Sequence, residues 1–343
     1  MIQPVNGTRV RCKCFFCVIL FLGVALYVFW QRTLHHPTAS HRSDSLRLTS
    51  TSPGRAKNTS VVNPHPYMFV INKPKLCETP GEVLVLVCVF TASTHFERRI
   101  AIRATWGKAS LERGFKVAFF VGLPKYKSVQ SLIEAENTIY EDIIQGNFAD
   151  TYHNVTLKSI MVVRWITEYC SKAKFVLKID DDMMLNASDL WEEVTTSLRN
   201  FTMTAWGILD KDSKPHRNPL SKWYLPPSMY KSEVLPDFLV GSAYMFTGDC
   251  VPLLYNLSFT IPPLWLEDVY ITGMVAKKAG VRLVYHVGFP HKYSPFKPCS
   301  RRRQITSHYQ TATSMLEFWK QMPVSQPGFR CNVTTNGTVT TLS

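Results

Sequence analysis

The chain has 343 residues and a mass of 39.2 kDa, which is enough for one large domain or two ordinary ones. Its content of 45% hydrophobic and 19% charged residues excludes a chain that is disordered throughout. The formal charge of +14 would suit a nucleic-acid partner, but residues 1–80 hold 10 Lys or Arg against only 2 Asp or Glu. The rest of the chain is therefore only mildly basic, and composition gives no reason to expect nucleic-acid binding.

An uncharged apolar run of 17 residues, Cys14–Trp30, follows a basic N-terminus. As a helix it would be ~25 Å long at ~1.5 Å per residue, near the lower limit for crossing a bilayer. The run ends in aromatic residues and lacks the small residues of a cleavage site, which favours an uncleaved anchor at 14–30 over a cleaved signal peptide. Because Arg9, Arg11 and Lys13 precede the run, residues 1–13 are predicted to be cytosolic and the rest luminal, a type II topology.

Seven N-x-Ser/Thr sequons follow the apolar run, which agrees with a luminal location. Six cysteines also follow it, and disulfides are their default state in an oxidising compartment, with the pairing left open. Cys88 lies within an apolar strand and is also compatible with a buried thiol. The predicted glycosylation sites are Asn58, Asn154, Asn186, Asn200, Asn256, Asn332 and Asn336, and the cysteines are Cys77, Cys88, Cys170, Cys250, Cys299 and Cys331.

Residues 31–76 are rich in Ser, Thr, Pro and His and predict a flexible luminal stem. Residues 77–322 are predicted to form a luminal domain, and residues 323–343 a C-terminal extension. Strands and helices alternate within the domain, which predicts an α/β sheet with its ligand at the carboxyl ends of the strands. The predicted strands are Val83–Thr91, Lys116–Val121, Phe175–Ile179 and Val281–Val287, and the predicted helices are Phe96–Trp106, Thr156–Cys170 and Asp268–Ala279.

Three adjacent carboxylates, Asp180, Asp181 and Asp182, follow directly on the predicted strand Phe175–Ile179. Adjacent carboxylates repel one another unless a cation neutralises them. Hard oxygen ligands with room for water suit Mg²⁺ or Mn²⁺, and either ion can bridge a diphosphate. An isolated run of this kind is more often a solvated acidic turn, but its place after a buried strand favours a metal site.

Two further groups of charged residues have both a structural and a functional interpretation. Glu267 and Asp268 lie at the start of a predicted helix, where an ordinary N-terminal cap and a general base fit equally well. Arg98, Arg99 and Arg103 lie on a short amphipathic segment, either as a solvated face or as a clamp for phosphate.

These features occur in blocks that, taken together and in order, resemble the β-1,3-galactosyltransferase and β-1,3-N-acetylglucosaminyltransferase family. The resemblance spans roughly residues 77 to 303, and several ordered blocks are far more specific than any one of them. The blocks are Glu97–Gly107 (the family's R-x-A-I-R-x-T-W), Tyr140–Phe148 with Asp150–Lys158 (its D-I-I and D-x-Y-x-N-L-T-x-K segments), Phe175–Asp182 (its DxD strand), Lys222–Tyr224 with Gly241 and Tyr244, and Glu267–Tyr270 (its E-D-V).

The resemblance implies a GT-A type, Rossmann-like domain that binds a nucleotide sugar and transfers the sugar with inversion. It implies Asp268 as the base, with Glu267 positioning the base or the acceptor, and it implies Mn²⁺, or Mg²⁺ as the alternative. The residues it assigns to the metal are Asp182, Asp180 and His291. Those it assigns to the UDP-sugar are Arg98, Arg103, Asp180, Asp181 and Lys158, and those it assigns to the acceptor are Trp223, Tyr224 and Tyr244.

The chain also departs from the family pattern. Asp181 stands where many family galactosyltransferases have Ser or Thr, and Gly273 follows the E-D-V block one residue later than in many vertebrate members. The resemblance implies a Golgi membrane enzyme acting on a glycan of a glycoprotein or glycolipid, with galactose favoured as the donor sugar and GlcNAc or GalNAc as alternatives. A catalytically silent, lectin-like homologue is the alternative of another class, against which the intact carboxylates argue.

Overall fold

The computed structural model describes residues 61–292, 304–308, 310–321, 331–333 and 339–341 of the chain. The predicted cytosolic tail 1–13, the predicted membrane helix 14–30, the stem up to residue 60, Cys299 and the sequons at Asn58 and Asn336 lie outside these residues. Among the residues that are described, no helix has both the length and the apolar character needed to cross a bilayer.

Strands and helices alternate through most of the described chain. The strands are β1 (Phe69–Ile71), β2 (Val83–Phe90), β3 (Lys116–Leu123), β4 (Ile143–Ala149), β5 (Ala173–Asp180), β6 (Met184–Leu185), β7 (Thr204–Asp210), β8 (Phe238–Thr247), β9 (Arg282–Tyr285), β10 (Thr306–Ser307), β11 (Cys331–Val333) and β12 (Val339–Thr341). The helices are α1 (Phe96–Ala104), α2 (Trp106–Glu112), α3 (Lys127–Tyr140), α4 (Val155–Tyr169), α5 (Ala187–Thr195), α6 (Val251–Ser258), α7 (Ala276–Ala279) and α8 (Ala312–Gln321).

Eight of the described strands form one mixed sheet in the order β1-β4-β3-β2-β5-β8-β7-β9. The strands β4, β3, β2 and β5 are parallel neighbours, whereas β8 runs antiparallel to β5 and β7. Short pairs β6–β10 and β11–β12 lie outside this sheet. The structure therefore confirms an α/β architecture built on a largely parallel centre.

The central strand β2 is buried on both faces of the sheet. Val87 and Val89 belong to a core that contains Trp106, whereas Cys88 belongs to a second core that contains Trp165 of α4. Helices that cover both faces of a parallel sheet leave no position for an exposed side chain in its central strands. This arrangement explains the continuous apolar run from which the strand was predicted.

The predicted helix Phe96–Trp106 is two helices in the structure. Helix α1 ends at Ala104, and the backbone of Thr105 (φ −122°, ψ −115°) turns the chain before α2 begins at Trp106. The indole of Trp106 is fully buried, and its Nε1 donates to the carbonyl of Met183 at 3.0 Å. The second helix thus begins with a residue in contact with a distant loop, a contact that local sequence does not reveal.

The predicted helix Asp268–Ala279 is present, but its first part is a π-helix, Val269–Val275, followed by α7. It ends at Gly280, whose φ of +73° is the left-handed conformation typical of a helix C-terminus. Within the π-helix, a Cβ at Gly273 would come within 2.9 Å of Pro236 Cγ, so this packing requires a glycine.

The sheet begins before Cys77, the residue at which the domain was predicted to start. Strand β1 pairs antiparallel with β4 at one edge of the sheet. Farther upstream, the buried side chain of Asn63 donates to the Tyr270 hydroxyl at 2.9 Å. Residues 61–76 therefore pack on the domain through hydrogen bonds and edge pairing, which a composition poor in apolar residues does not predict.

One disulfide, Cys77–Cys170, joins the residues that precede β2 to the end of α4. Cys88 is a buried free thiol, as its place in an apolar strand predicted. Cys250 is also a buried free thiol, so the default expectation of a disulfide is wrong for this residue. Its Sγ lies 3.3 Å from Thr247 Oγ1, inside the core.

Four predicted glycosylation sites have described side chains. Asn200 and Asn256 are exposed. Asn154 is partly buried and its Nδ2 donates to a backbone carbonyl at 2.8 Å, while Asn186 caps α5 by accepting from a backbone N–H at 3.1 Å. Glycosylation at all of these sites stays a prediction.

Candidate active site

A cavity of about 660 Å³ opens where β2 and β5 end. Phe90 and Asp180, the last residues of these two strands, both line it. The carboxyl ends of neighbouring parallel strands meet at one edge of the sheet, which is where open α/β sheets bind ligands. The cavity brings together eight of the residues predicted from the sequence: Lys158, Asp180, Asp181, Asp182, Trp223, Glu267, Asp268 and His291.

Asp181, the middle carboxylate, ties the loop after β5 to the loop after β2. Its Oδ2 accepts from Thr91 Oγ1 at 2.6 Å and lies 2.7 Å from His95 Nδ1, while its Oδ1 accepts from Arg98 at 2.6 Å. Burial acts to raise the pKa of Asp181, but the hydrogen bonds from His95 and Thr91 outweigh it and hold this pKa below its ordinary value. The carboxylate is therefore ionised and fully engaged, which makes it a support for the site.

Asp182, the third carboxylate, has one buried oxygen that faces His308. Among the residues described, none donates to its buried Oδ1. His308 Nε2 lies 3.6 Å from this oxygen, and His308 Nδ1 lies 2.6 Å from the carbonyl of His291. A carbonyl can only accept, so Nδ1 carries the proton of that bond and Nε2 is directed at Asp182.

His308 was not predicted from the sequence. It follows β10, whose two-residue pairing with β6 brings it next to Asp182. His291, which was predicted as a metal ligand together with Asp180 and Asp182, lines the cavity and binds His308 through its backbone carbonyl. Burial lowers the pKa of His291, with the charges of Lys292 and His308 adding to that effect.

The donor set fits a divalent cation only if a substrate completes it. Within the described ranges, no group of three His, Cys, Asp or Glu side chains is arranged to hold a metal ion. Mg²⁺ and ions like it are commonly bound by one or two carboxylates together with substrate phosphates and water. The buried Oδ1 of Asp182 with His308 Nε2 beside it is a donor set of that kind.

Glu267 and Asp268 form a second acidic wall of the cavity, beside the wall formed by Asp180 and Asp182. Asp268 Oδ1 accepts from the backbone N–H of Val269 at 2.9 Å, and its Oδ2 accepts from that of Gly241 at 3.0 Å. Burial, together with the negative charge of Glu267, raises the pKa of Asp268 to about 6. Asp268 is thus both the helix cap and a cavity carboxylate, so the two interpretations of this segment hold together.

Glu267 is buried and held by two hydroxyl groups. Its Oε2 accepts from Ser159 Oγ at 2.7 Å and from the Tyr244 hydroxyl at 3.0 Å. Tyr244, which was predicted to contact the acceptor, is itself buried and does not line the cavity. The structure instead places Tyr244 behind Glu267 as a hydrogen-bond donor.

Lys178 lies between the two acidic walls, although no role was predicted for it. Its Nζ donates to Asp180 Oδ1 at 2.6 Å and to the carbonyl of Gly241, and lies 3.3 Å from Glu267 Oε1. Burial acts to lower the pKa of Lys178, but the charges of Asp180 and Glu267 outweigh it and raise this pKa. Burial raises the pKa of Asp180 to about 7, against the opposing effect of Lys178.

Aromatic side chains flank Glu267 and Asp268 at the cavity wall. Tyr152, Trp223 and Trp265 all line the cavity, and the rings of Tyr152 and Trp265 lie 5.8 Å apart. Trp223 was predicted as an acceptor contact, and 44% of its surface is exposed. Tyr224, also predicted as an acceptor contact, is not among the described residues that line the cavity. Tyr152 lies within one of the family blocks, and Trp265 lies two residues before another. Their spacing in the sequence did not mark either of them as a site residue.

The predicted basic residues occupy three different environments. Arg98 is not among the described residues that line the cavity, but its Nη1 contacts Asp181, which does line it, at 2.6 Å and lies 4.0 Å from Asp182. Lys158 is buried in the cavity wall, and its Nζ donates to Asp150 at 2.9 Å. Arg103 does not line the cavity, because its guanidinium is bound elsewhere in a buried cluster of ion pairs.

Comparison with known proteins adds an independent finding. Residues 97–286 match the family model described as Galactosyltransferase. β-1,3-Galactosyltransferase 1 of Mus musculus and Homo sapiens is 34% identical over 313 residues, which cover 88% of this chain and 94% of the relative. Lactosylceramide 1,3-N-acetyl-β-D-glucosaminyltransferase of Mus musculus is 31% identical over 87% of this chain and 83% of its own. β-1,3-Galactosyltransferase 2 of Mus musculus is 31% identical over 85% and 73%.

Proposed function

The chain belongs to the galactosyltransferase family of hexosyltransferases, and we propose that it transfers galactose from UDP-galactose to a glycan hydroxyl in a β-1,3 linkage with inversion. The observation that carries the proposal is one cavity with two adjacent acidic walls, Asp180 and Asp182 in the one that we call the donor wall and Glu267 and Asp268 in the one that we call the acceptor wall. The names of the relatives share a 1,3 linkage and differ in the sugar, so GlcNAc is the alternative donor sugar. The fold proposed for this activity is of the GT-A type.

The donor wall suits the diphosphate of a nucleotide sugar. Asp182 and His308 would hold Mn²⁺, or Mg²⁺ as the alternative, with the diphosphate completing the coordination. The chemistry that a bound cation supplies is neutralisation of the charge that builds up on the departing diphosphate. Arg98 contributes a guanidinium 4.0 Å from Asp182, and Asp181 holds it there.

The acceptor wall suits a sugar hydroxyl that must lose a proton. A hydroxyl of this kind needs a base as it attacks, and Asp268 with a pKa of about 6 is mainly ionised at neutral pH. Attack from the face opposite the diphosphate gives inversion, as in glycosidases that use one displacement. The exposed faces of Trp223 and Tyr152 offer apolar surface to the ring of the acceptor, which we propose to be part of a glycoprotein or glycolipid.

The location proposed for this reaction is the lumen of the Golgi, with residues 14–30 as a type II anchor. The sequons after the apolar run support a luminal domain. The Cys77–Cys170 disulfide supports it as well, because disulfides persist in oxidising compartments.

The test is release of UDP by the full-length chain, purified in detergent, from UDP-Gal, UDP-GlcNAc and UDP-GalNAc with a panel of β-linked sugar acceptors and Mn²⁺. We expect release from UDP-Gal that depends on an acceptor and is abolished by EDTA. Release from UDP-GlcNAc alone would assign the other sugar. Binding of UDP without release from any donor would contradict the proposal and favour the silent, lectin-like homologue.

A further inference from the structure

Lys178 is a buried lysine that touches both walls of the cavity. Only 5% of its side chain is exposed. Its Nζ donates to Asp180 at 2.6 Å on the donor wall and lies 3.3 Å from Glu267 Oε1 on the acceptor wall. It also donates to the carbonyl of Gly241, whose own N–H donates to Asp268. One ammonium group thus contacts both Glu267, which precedes Asp268 in the chain, and Gly241, which donates a hydrogen bond to Asp268.

The charges around Lys178 explain why a cation is needed there. Asp180, Glu267 and Asp268 are carboxylates enclosed in one cavity, and like charges in a partly desolvated site repel. Glu267 Oε1 accepts no hydrogen bond from the described residues, so the ion pair with Lys178 is the contact that holds this oxygen. Without the ammonium, Glu267 would keep the hydrogen bonds from Ser159 and Tyr244 to its Oε2 but would lose the cation that lies between its Oε1 and Asp180.

We propose that Lys178 is a positioning residue for the transfer reaction, acting on the base Asp268 through Glu267 and Gly241. The inference rests on the proposed function, because it assigns Lys178 to the same chemical step. A displacement of a reacting group by about 1 Å can lower the rate by about 100-fold. We therefore expect the removal of Lys178 to lower kcat by about that factor in an enzyme that is still folded.

The test is a double-mutant cycle on kcat in the full-length enzyme. The variants are Lys178→Met, Glu267→Gln and the two combined, all measured at saturating substrates and well below their melting temperatures. We expect each single variant to lose about 100-fold in kcat, with the KM for the UDP-sugar changed less than about threefold. The combined variant is expected to lie within about threefold of the slower single variant, because both changes break the same contact.

Lys158 provides a matched control. It is a second buried lysine of the same cavity, also 5% exposed, but it pairs with Asp150 and not with Glu267. The cycle of Lys158→Met with Glu267→Gln is therefore expected to be additive in log kcat. Additivity in the Lys178 cycle as well would overturn the proposal, as would a Lys178→Met enzyme that melts earlier but keeps its kcat.

If Lys178→Met does not fold, the combined variant still decides the question, because it lacks both charges of the pair. Its kcat is expected to equal that of Glu267→Gln within about threefold, and a further 100-fold loss would overturn the proposal. Failure of the proposed function has a different signature. In that case the unaltered enzyme releases no UDP from any donor, whereas failure of the positioning role leaves the unaltered enzyme active.

Discussion

Two acidic clusters in this protein differ in how their charge is balanced. In the first, Glu136 of α3 accepts from Arg99 and Arg103, each at 2.6 Å, and Arg103 also binds Asp142 at 2.7 Å. Burial acts to raise the pKa of Glu136, but the two guanidinium groups outweigh it and lower this pKa. Every carboxylate in this cluster is matched by a cation, which is the pattern of a structural ion pair network.

The second cluster, in the cavity, holds six carboxylates against three lysines among the described residues that line it. The pKa values of Asp180 and Asp268 are raised, to about 7 and about 6, and burial is the main cause of both. Asp182 Oδ1 and Glu267 Oε1 receive no hydrogen bond from the described residues. Buried acidic groups with incomplete compensation mark sites where a ligand or a reaction supplies the missing partner. The contrast shows that a charged motif alone does not reveal whether it is structural or functional, because that depends on the groups paired with it.

The largest effect is expected for the proposed base. Asp268→Asn should lower kcat by about 100-fold to 10,000-fold, since the amide cannot accept the acceptor's proton. Binding of UDP with Mn²⁺, measured by calorimetry, should stay unchanged because Asp268 is not among the residues proposed to hold the cation or the diphosphate. A rate near that of the unaltered enzyme would show that another group is the base.

The balanced cluster should respond in stability and not in rate. Glu136→Gln leaves two buried guanidinium groups poorly paired and is expected to lower the free energy of unfolding by about 3 kcal/mol. Glu134→Gln, at an exposed position of the same helix, is the control and should change it by less than about 0.5 kcal/mol. The measurement is denaturant unfolding, and a large loss of kcat in Glu136→Gln would blur the distinction between the clusters.

A substitution at His308 separates the two histidines near Asp182. His308→Ala should weaken Mn²⁺ binding in the presence of UDP by about 10-fold to 100-fold, a range typical of changes around a metal site. His291→Ala is the control, since its backbone carbonyl still binds His308 Nδ1. If the two variants exchange these effects, the family-based assignment of His291 is correct and ours is not.

The smallest effect concerns pH. Because the base must be ionised, kcat/KM should rise with pH through about 6, the raised pKa of Asp268, and then level off. At pH 5 the rate is expected to be about tenfold below the plateau. The measurement is a rate profile between pH 5 and 8 at fixed Mn²⁺. A profile already level at pH 5 would mean that the base keeps an ordinary carboxylate pKa.

Sequence alone was sufficient for the elements with strong local patterns. Continuous apolar runs predicted β2 and the strand that ends at Asp180. Residues typical of a helix start and a helix end predicted the helix beside Asp268. These elements also carry most of the cavity carboxylates. The members of the two acidic walls could therefore be predicted, but the distances between them could not.

The remaining features depend on pairing between distant segments. His308 reaches Asp182 through a strand pair of only two residues, which is too short to leave a pattern in the sequence. Lys178 lies inside the most prominent motif, yet its importance depends on Glu267, 89 positions later. The family resemblance assigned Arg103 to the UDP-sugar, but in the structure its guanidinium forms ion pairs with Glu136 and Asp142. In each case the sequence shows the residue type but not the distant partner that determines its role.

The π-helix at Val269–Val275 has a consequence for the residues that follow Asp268. One residue added to an α-helix rotates everything after it by about 100°, since a turn holds 3.6 residues. A π-helical turn, with its i→i+5 hydrogen bonds, accommodates one more residue and confines the change. In this chain the wider turn lies between two fixed points, the cap at Asp268 and the left-handed Gly280 where the helix ends. Gly273 lies inside the wider turn and packs against Pro236, so the backbone approaches its neighbour closely with no side chain between them.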